Sequence, residues 1–418
     1  MTNPSTTPTL SVATSRTAVA GALVPSSLAL LVFAAAASAV PPEAAQDALA
    51  PRDATTPIAA MDAHDRTKDA ATLYRQALAL SRGDAGIQDE AAAVHCYEKA
   101  AEFGSTKALL ALGARHLRGA GVEASDIKAF ECFLRAAQAG DADGMLLVAR
   151  AYANGRGVSQ DLVESASWLR RASDMGHADA MTALGAAHAL GLGVAQDHAK
   201  AVELHRTAMA AGSVTAVSNL AVHHLDGNGV PCDAAAAVKL LRHAAESGDT
   251  KAMTMLGDLY SNGRHLVRDG AKAAGWYLRA AEHGDTHAMT TLGAMLADGK
   301  GIRRDSEAAA RWFARAAESG VPEAMANLAV LHREGRGTPR DSERAFFWAR
   351  AAERSWARAH SAARGVGSSQ SLAEFTERAA RGLDSAARAR LDAEVGEFLA
   401  ALPSRPSADT MLAAQGAE

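Results

Sequence analysis

Aromatic residues make up only 5% of this 418-residue chain, so the bulky cross-strand pairs that stabilise sheets are in short supply. Hydrophobic residues still reach 48%, much of it alanine, and that balance favours closely packed helices. Cysteine is scarce as well. Three cysteines, Cys96, Cys132 and Cys232, exclude a dense disulfide framework and leave at least one thiol over. None precedes Cys96, so no lipid-attachment cysteine follows the N-terminal apolar run. An excess of charge of either sign is also missing. A formal net charge of −4 at pH 7 excludes bulk attraction to nucleic acid, and none is expected as a partner.

Residues 1–39 lack Asp, Glu and Lys altogether and carry a single Arg16 ahead of "SLALLVFAAAASAVPPEA". Ala37, Ser38 and Ala39 stand at signal-peptidase spacing before Pro41 and Pro42, which predicts a cleaved signal peptide and export to the periplasm or beyond. The alternative is a membrane anchor over residues 18–40, although Pro25, Ser26 and Ser27 interrupt it. A membrane is a partner only in that case. Residues 40–71 are rich in Pro, Ala and Asp without an apolar period and read as a disordered linker.

The loop "NGRGVSQD" at 154–161 pairs two glycines with an aspartate, as phosphate-binding loops do. It recurs, as "GLGVAQD" at 191–197, "GNGVPCD" at 227–233, "GRHLVRD" at 263–269, "GKGIRRD" at 299–305 and "GRGTPRD" at 335–341, always 36 residues on. A second glycine series runs from Gly104 through Gly140, Gly176, Gly212, Gly248 and Gly284 to Gly320. Small residues recur at Gly113, Ala149, Gly185, Ala221, Gly257, Gly293 and Ala329, and large ones at Trp168, Leu204, Leu240, Trp276, Trp312 and Phe347. Each period divides into two helices, the first exemplified by Asp179 to Leu190 with Ala180, Leu184 and His188 on one stripe, the second by Asp197 to Ala211. The large residues are expected to fill the wedge between neighbouring hairpins.

Asp161, Asp197, Asp233, Asp269, Asp305 and Asp341 stand where second helices need an N-cap, and Asp161 with Glu164 has capping-box spacing. Asp141, Ser213, Asp249 and Asp285 can cap first helices, and the glycines before them suit a C′ position at positive φ. No such unit buries its apolar face alone, so the units must stack into an all-α solenoid. Eight are expected between about 72 and 358, the first degenerate. Residues 359–402 should supply capping helices, with Leu391, Val395, Phe398, Leu399 and Leu402 on one face, and 403–418 a disordered tail.

The recurring pattern A-x-x-x-L-G-x-x-Y/H-x-x-G-x-G-V-x-x-D-x-x-x-A-x-x-W-x-x-x-A-A-x-x-G resembles the Sel-one-like repeat, a relative of the tetratricopeptide repeat, over roughly two-thirds of the chain. The resemblance implies a right-handed α-solenoid that serves as a non-enzymatic protein-interaction scaffold, often exported. Some cysteine-rich relatives have been assigned β-lactam binding, which makes a hydrolase or penicillin-binding activity the alternative. Those carry a cysteine pair in nearly every unit, and this chain does not.

The glycine loops follow no strand and none reads G-K-[S/T], so they are turns rather than phosphate sites, and no cofactor is expected. His116, His188, His224 and His332 share one column; His188, His223 and His224 could approach as zinc or copper ligands. No Cys, Asp or Glu at ligand spacing completes a site, so no metal is expected. Cys96 and Cys132 fall in the large-residue column as small buried hydrophobes, Cys232 in a loop. Met145, Met181, Met253, Met289 and Met325 read as core packing. Arg135, Arg171, Arg279, Arg315 and Arg350 suit the negative end of the second helices. No catalytic constellation stands outside the repeat columns. The candidate partner-binding residues are a polar column on the first helices, Arg118, Asn154, Asp226, Asn262, Asp298 and Glu334, together with Asn219 and Asn327, which match an asparagine common in the resembling family. On the concave surface they would hold a peptide or partner helix.

Overall fold

The computed structural model describes residues 63–84, 88–359 and 366–402. The expected signal peptide and tail, and all but the last residues of the linker, lie outside them. Eighteen helices and no strand are present among the described residues, and these divide into two compact units, one ending at Cys232 and the other beginning at Asp233. In the first unit α1 (Ala63–Arg82) and α2 (Glu90–Glu102), α3 (Thr106–Arg118) and α4 (Asp126–Gln138), α5 (Ala142–Asn154) and α6 (Leu162–Asp174), and α7 (Ala178–Leu190) and α8 (His198–Ala210) form hairpins, followed by α9 (Val214–Asp226). Each hairpin packs on the next in chain order. The second unit starts with α10 (Ala234–Glu246). It continues with the pairs α11 (Thr250–Asn262) and α12 (Gly270–Glu282), α13 (Thr286–Asp298) and α14 (Ser306–Glu318), and α15 (Pro322–Glu334) and α16 (Ser342–Ala359). Both α17 (Val366–Ala379) and α18 (Ser385–Ala401) pack on α16.

The 36-residue period is visible in the caps of the second helices. Asp161 accepts from the Val163 and Glu164 amides at 2.9 and 3.0 Å, and Asp197, Asp233, Asp269 and Asp305 cap their helices in the same manner. The capping box at Asp161 and Glu164 is one-sided, contrary to the sequence spacing. The Asp161 amide already donates to the Tyr152 carbonyl at 2.9 Å, closing the hairpin, and has no proton left for Glu164. Ser105 and His177 cap first helices, whereas α15 has Val321 at its N-cap without a side-chain bond and starts with Pro322, whose missing N–H lowers the need for one.

Packing adds one column to the sequence reading. Trp168, Leu204, Leu240, Trp276 and Trp312 are half-buried, and the interior of each hairpin is filled by the next residue along, Tyr97, Phe133, Leu169, His205, Leu241, Tyr277 and Phe313, none more than 5% exposed. A residue one position on is turned about 100° around a helix, enough to move it from the flank to the core. The rings of Phe133, Tyr277 and Phe313 lie against Gly113, Gly257 and Gly293, where a Cβ would strike the ring. Where the interior residue is the smaller Leu169, the corresponding position is Ala149. The small column therefore sets how closely the two helices of a hairpin approach.

The C-terminal end is closed by side chains. Leu391, Val395 and Leu399 of α18 are buried, and Phe398 meets Phe347 and Trp348 edge-on at 5.7 and 5.4 Å. Arg350 and Arg354 of α16 add ion pairs to Asp392 at 3.1 and 3.0 Å.

From residue 119 on, each hairpin loop but the one at 263–269, where His265 takes the second position, carries two glycines with different tasks. Gly155 ends α5 in the left-handed region, and Gly157, at φ +73°, lies so close to the Asp126 carbonyl of the preceding hairpin that a Cβ would overlap it. Replacing Gly157 with Val should lower stability by about 2–4 kcal/mol, from left-handed strain plus the collision. Gly140→Ala, also at positive φ but with nothing within 4 Å of a Cβ, should lose only about 1–2 kcal/mol. Thermal melts of the two variants in parallel check this, and equal melting temperatures would contradict the loop's role in stacking.

Candidate protein-interaction surface

The first helix of each repeat presents a stripe at i, i+4, i+7 and i+11, a spacing that keeps four side chains on one face. In the second unit the stripes are Lys251, Met255, Asp258 and Asn262 on α11; His287, Thr291, Ala294 and Asp298 on α13; and Glu323, Asn327, Val330 and Glu334 on α15, and every one of these residues is at least partly exposed. In the first unit the equivalent central positions are closed. Ala111, Ala114, Leu147, Arg150, Ala183, Ala186, Asn219 and Val222 are all buried.

The polar column lies at the ends of these stripes. Arg118, Asn154, Asp226, Asn262, Asp298 and Glu334 are the last residues of their helices, each directly before a left-handed C-cap glycine. Within each unit they stand beside the hairpin loops. All but Asp226, which is half-buried, are exposed. Asp298 pairs with Lys300 at 2.6 Å and Glu334 with Arg336 at 3.0 Å, so the two carboxylates are already neutralised locally. Of the two asparagines, Asn327 is half-exposed at the centre of its stripe, but Asn219 is fully buried with its amide 3.3 Å from the His205 ring. Asn219 is a core residue and offers no surface to a partner. It faces an imidazole, which no other position of that interior column contains, a pairing that the family-like asparagine pattern did not reveal.

In the first unit, Asp143 and Asp179 at the start of two stripes bond the cap residue of the next repeat. His177 accepts the Ala180 amide at Nδ1, so its protonated Nε2 donates to Asp143 at 2.9 Å. Burial raises the Asp179 pKa although His177 and the Ser213 hydroxyl oppose it. On α11, Asp258 accepts from the Tyr277 hydroxyl at 2.6 Å and faces His287 and Asp285. Burial pushes the Asp258 pKa up, with Tyr277 and His287 acting the other way, and Tyr277 is itself raised by burial and by the Asp258 charge.

The arginine column does more than complement helix ends. Arg171, Arg279 and Arg315 stack on Trp168, Trp276 and Trp312 at 4.2, 4.7 and 4.8 Å from the ring centroids, one turn away on the same helix. Such stacks are worth about 0.5–1 kcal/mol at exposed sites, and the i, i+3 spacing was legible in sequence. Cys96 and Cys132 are half-buried free thiols, Cys132 pushed up to about 11 chiefly by burial, and Cys232 is an exposed free thiol. No cysteine pairing of the kind that suggested β-lactam binding exists among them. His188 turns its Nδ1 to the Ala195 carbonyl, and the imidazoles that cluster are instead His198, His205 and His223. Among the described residues no group of three or more His, Cys, Asp or Glu is arranged to hold a metal ion.

The model of the Sel1 repeat matches eight consecutive stretches, residues 70–105, 106–141, 142–177, 178–213, 214–249, 250–285, 286–321 and 322–354. This chain belongs to the Sel1 repeat family. The solved structures similar to it include a Sel1 repeat protein from Oxalobacter formigenes, 31% identical over 53% of this chain and 94% of that one, with a TM-score of 0.48. A protective antigen with an SLR fold, present in uropathogenic Escherichia coli strains, is 23% identical over 79% of this chain and 84% of its own, with a TM-score of 0.43. No curated protein matches the chain. Like other Sel1 repeats, this one offers helical surfaces of the kind that bind proteins, and among its described residues no helix is long and apolar enough to cross a membrane.

The Asp258 contact gives a direct test of how the open stripe is built. A carboxyl with a raised pKa contributes most below its ordinary range and loses that contribution as pH rises through the raised value. Asp258→Asn keeps an acceptor for Tyr277 without the charge and should leave the melting temperature at pH 7 unchanged or higher. Asp258→Leu removes the 2.6 Å acceptor of the Tyr277 hydroxyl and should cost about 1–3 kcal/mol. Calorimetry of both variants checks the order, and a stable Leu variant would contradict it.

Proposed function

We propose that this Sel1 repeat protein is an exported, non-enzymatic scaffold whose second unit binds a segment of a partner protein across the stripes of α11, α13 and α15. The observation that carries this reading is the contrast between units. Met255, Asp258, Thr291, Ala294, Asn327 and Val330 are partly exposed, whereas the same positions of the first unit are buried. An open face that mixes a flexible thioether, small apolar groups and one amide suits a peptide or helix: the amide can bond a peptide backbone and the apolar groups receive side chains. The helix-end residues Asn262, Asp298 and Glu334 extend the face towards the loops. With a net charge of −4, the partner is a protein rather than a nucleic acid.

Two measurements test the two halves of this reading. In a crosslinking pull-down from the native compartment, substituting Thr291 and Val330 together with Arg should reduce recovery of specific partners at least tenfold. The Asp298→Lys, Glu334→Lys pair should reduce it less, because those carboxylates are already paired. Undiminished capture by the Arg variant overturns the stripe as the binding face. For export, N-terminal sequencing of the mature protein should begin just after Ala39, and Met1 retained would refute it.

A further inference from the structure

His205 and His223 stand at positions where no equivalent residue of the chain is an imidazole. The positions equivalent to His205 hold Tyr97, Phe133, Leu169, Leu241, Tyr277 and Phe313; those equivalent to His223 hold Arg115, Ala151, Ala187, Leu259, Met295 and Leu331. Packing alone therefore does not require imidazole at either site. Gly185 faces His205 as Gly113 faces Phe133, so the pocket is built for a ring of either kind.

The hydrogen bonds assign the tautomers. His205 Nε2 lies 3.2 Å from the Thr182 carbonyl and His223 Nδ1 lies 2.8 Å from the Asn228 carbonyl. A carbonyl only accepts, so both nitrogens carry the proton. The opposite nitrogens, His205 Nδ1 and His223 Nε2, are then bare lone pairs, and both are buried without a hydrogen-bond partner. The rings sit 5.3 Å apart, with His198 a further 6.2 Å from His223. His205 is wholly buried and His223 nearly so.

The geometry points to an acid-sensitive latch, in which His205 and His223 hold α8 against α9 while neutral and release this part of the first unit when protonated. A second proton on either ring would create a buried cation whose new N–H has no acceptor, beside another imidazole. The only ionisable side chain acting on His205 is His223; α7 offers it the Thr182 carbonyl and Gly185, and α9 adds the Asn219 amide, 3.3 Å from Nε2, which beside a protonated Nε2 presents its Oδ1 as acceptor. Around His223 stand His198 from α8 and Asp226 and His224 from α9, of which only Asp226 favours the charged ring. Burial, reinforced by His223, lowers the His205 pKa to about 3, and burial also lowers that of His223, with His198 and His224 in the same direction. The unfolded imidazoles titrate near 6.5, so stability contributed by the neutral pair is present above about pH 6.5 and lost progressively as pH falls towards 3.

The test is amide hydrogen exchange of the full chain at pH 7.5 and pH 5, corrected for the intrinsic pH dependence of exchange. Protection in α8 and α9 should fall at least tenfold at pH 5, with less than a twofold change in α13. The double variant His205→Phe, His223→Leu, each residue taken from an equivalent position in the same chain, should abolish the difference. His223→Leu alone, which leaves His205 in place, should reduce it. Wild-type protection that is insensitive to pH overturns the latch, and so does a double variant that loses protection as the wild type does.

Discussion

The distance between the two helices of a hairpin governs the rest of this structure, and it is set by one complementary pair per repeat. A glycine on the first helix admits an aromatic or imidazole ring from the second, as Gly113 admits Phe133 and Gly293 admits Phe313. With Leu169 in place of the ring, Ala149 is small enough. Because interiors are close-packed, one methyl group at this position shifts the helix separation. Caps, loops and surface stripes are all positioned by it.

The hairpin loops translate that spacing into stacking. The aspartate ends the loop by capping the second helix and sends its own amide back to the first, as Asp161 does to Tyr152. The second glycine rests against the backbone of the preceding hairpin. A loop that looked like a phosphate cradle is thus a joint between repeats. Its amides and glycines are committed to the protein itself, which leaves recognition to positions that the packing does not prescribe.

Those positions differ between the units. The centre of the first-helix stripe is filled by buried Ala, Leu, Val and Arg side chains in the first unit and by partly exposed Met, Thr, Asn and Val in the second. The family supplies the frame, and departures from the repeat consensus supply what is individual. The buried histidines at 205 and 223 are such a departure, since Phe133 and Phe313 at one position and Leu259 and Leu331 at the other perform the packing without a titratable group.

Periodicity made the all-α repeat fold, the hairpin boundaries, the aspartate caps and the glycine turns legible without coordinates, because each depends on local spacing that recurs every 36 residues. It did not single out the fully buried column beside Trp168 and its equivalents, since a column one residue off conserves the same period while pointing elsewhere. Asn219 and Asn327 are identical in sequence terms, yet one is buried against His205 and the other lies on an open stripe. The sequence by itself determined that these units exist and how each folds, because helix caps and turns are local. Only the tertiary structure decided which faces are closed, which carboxylates are already paired and which histidines meet, because those depend on neighbours contributed by other helices.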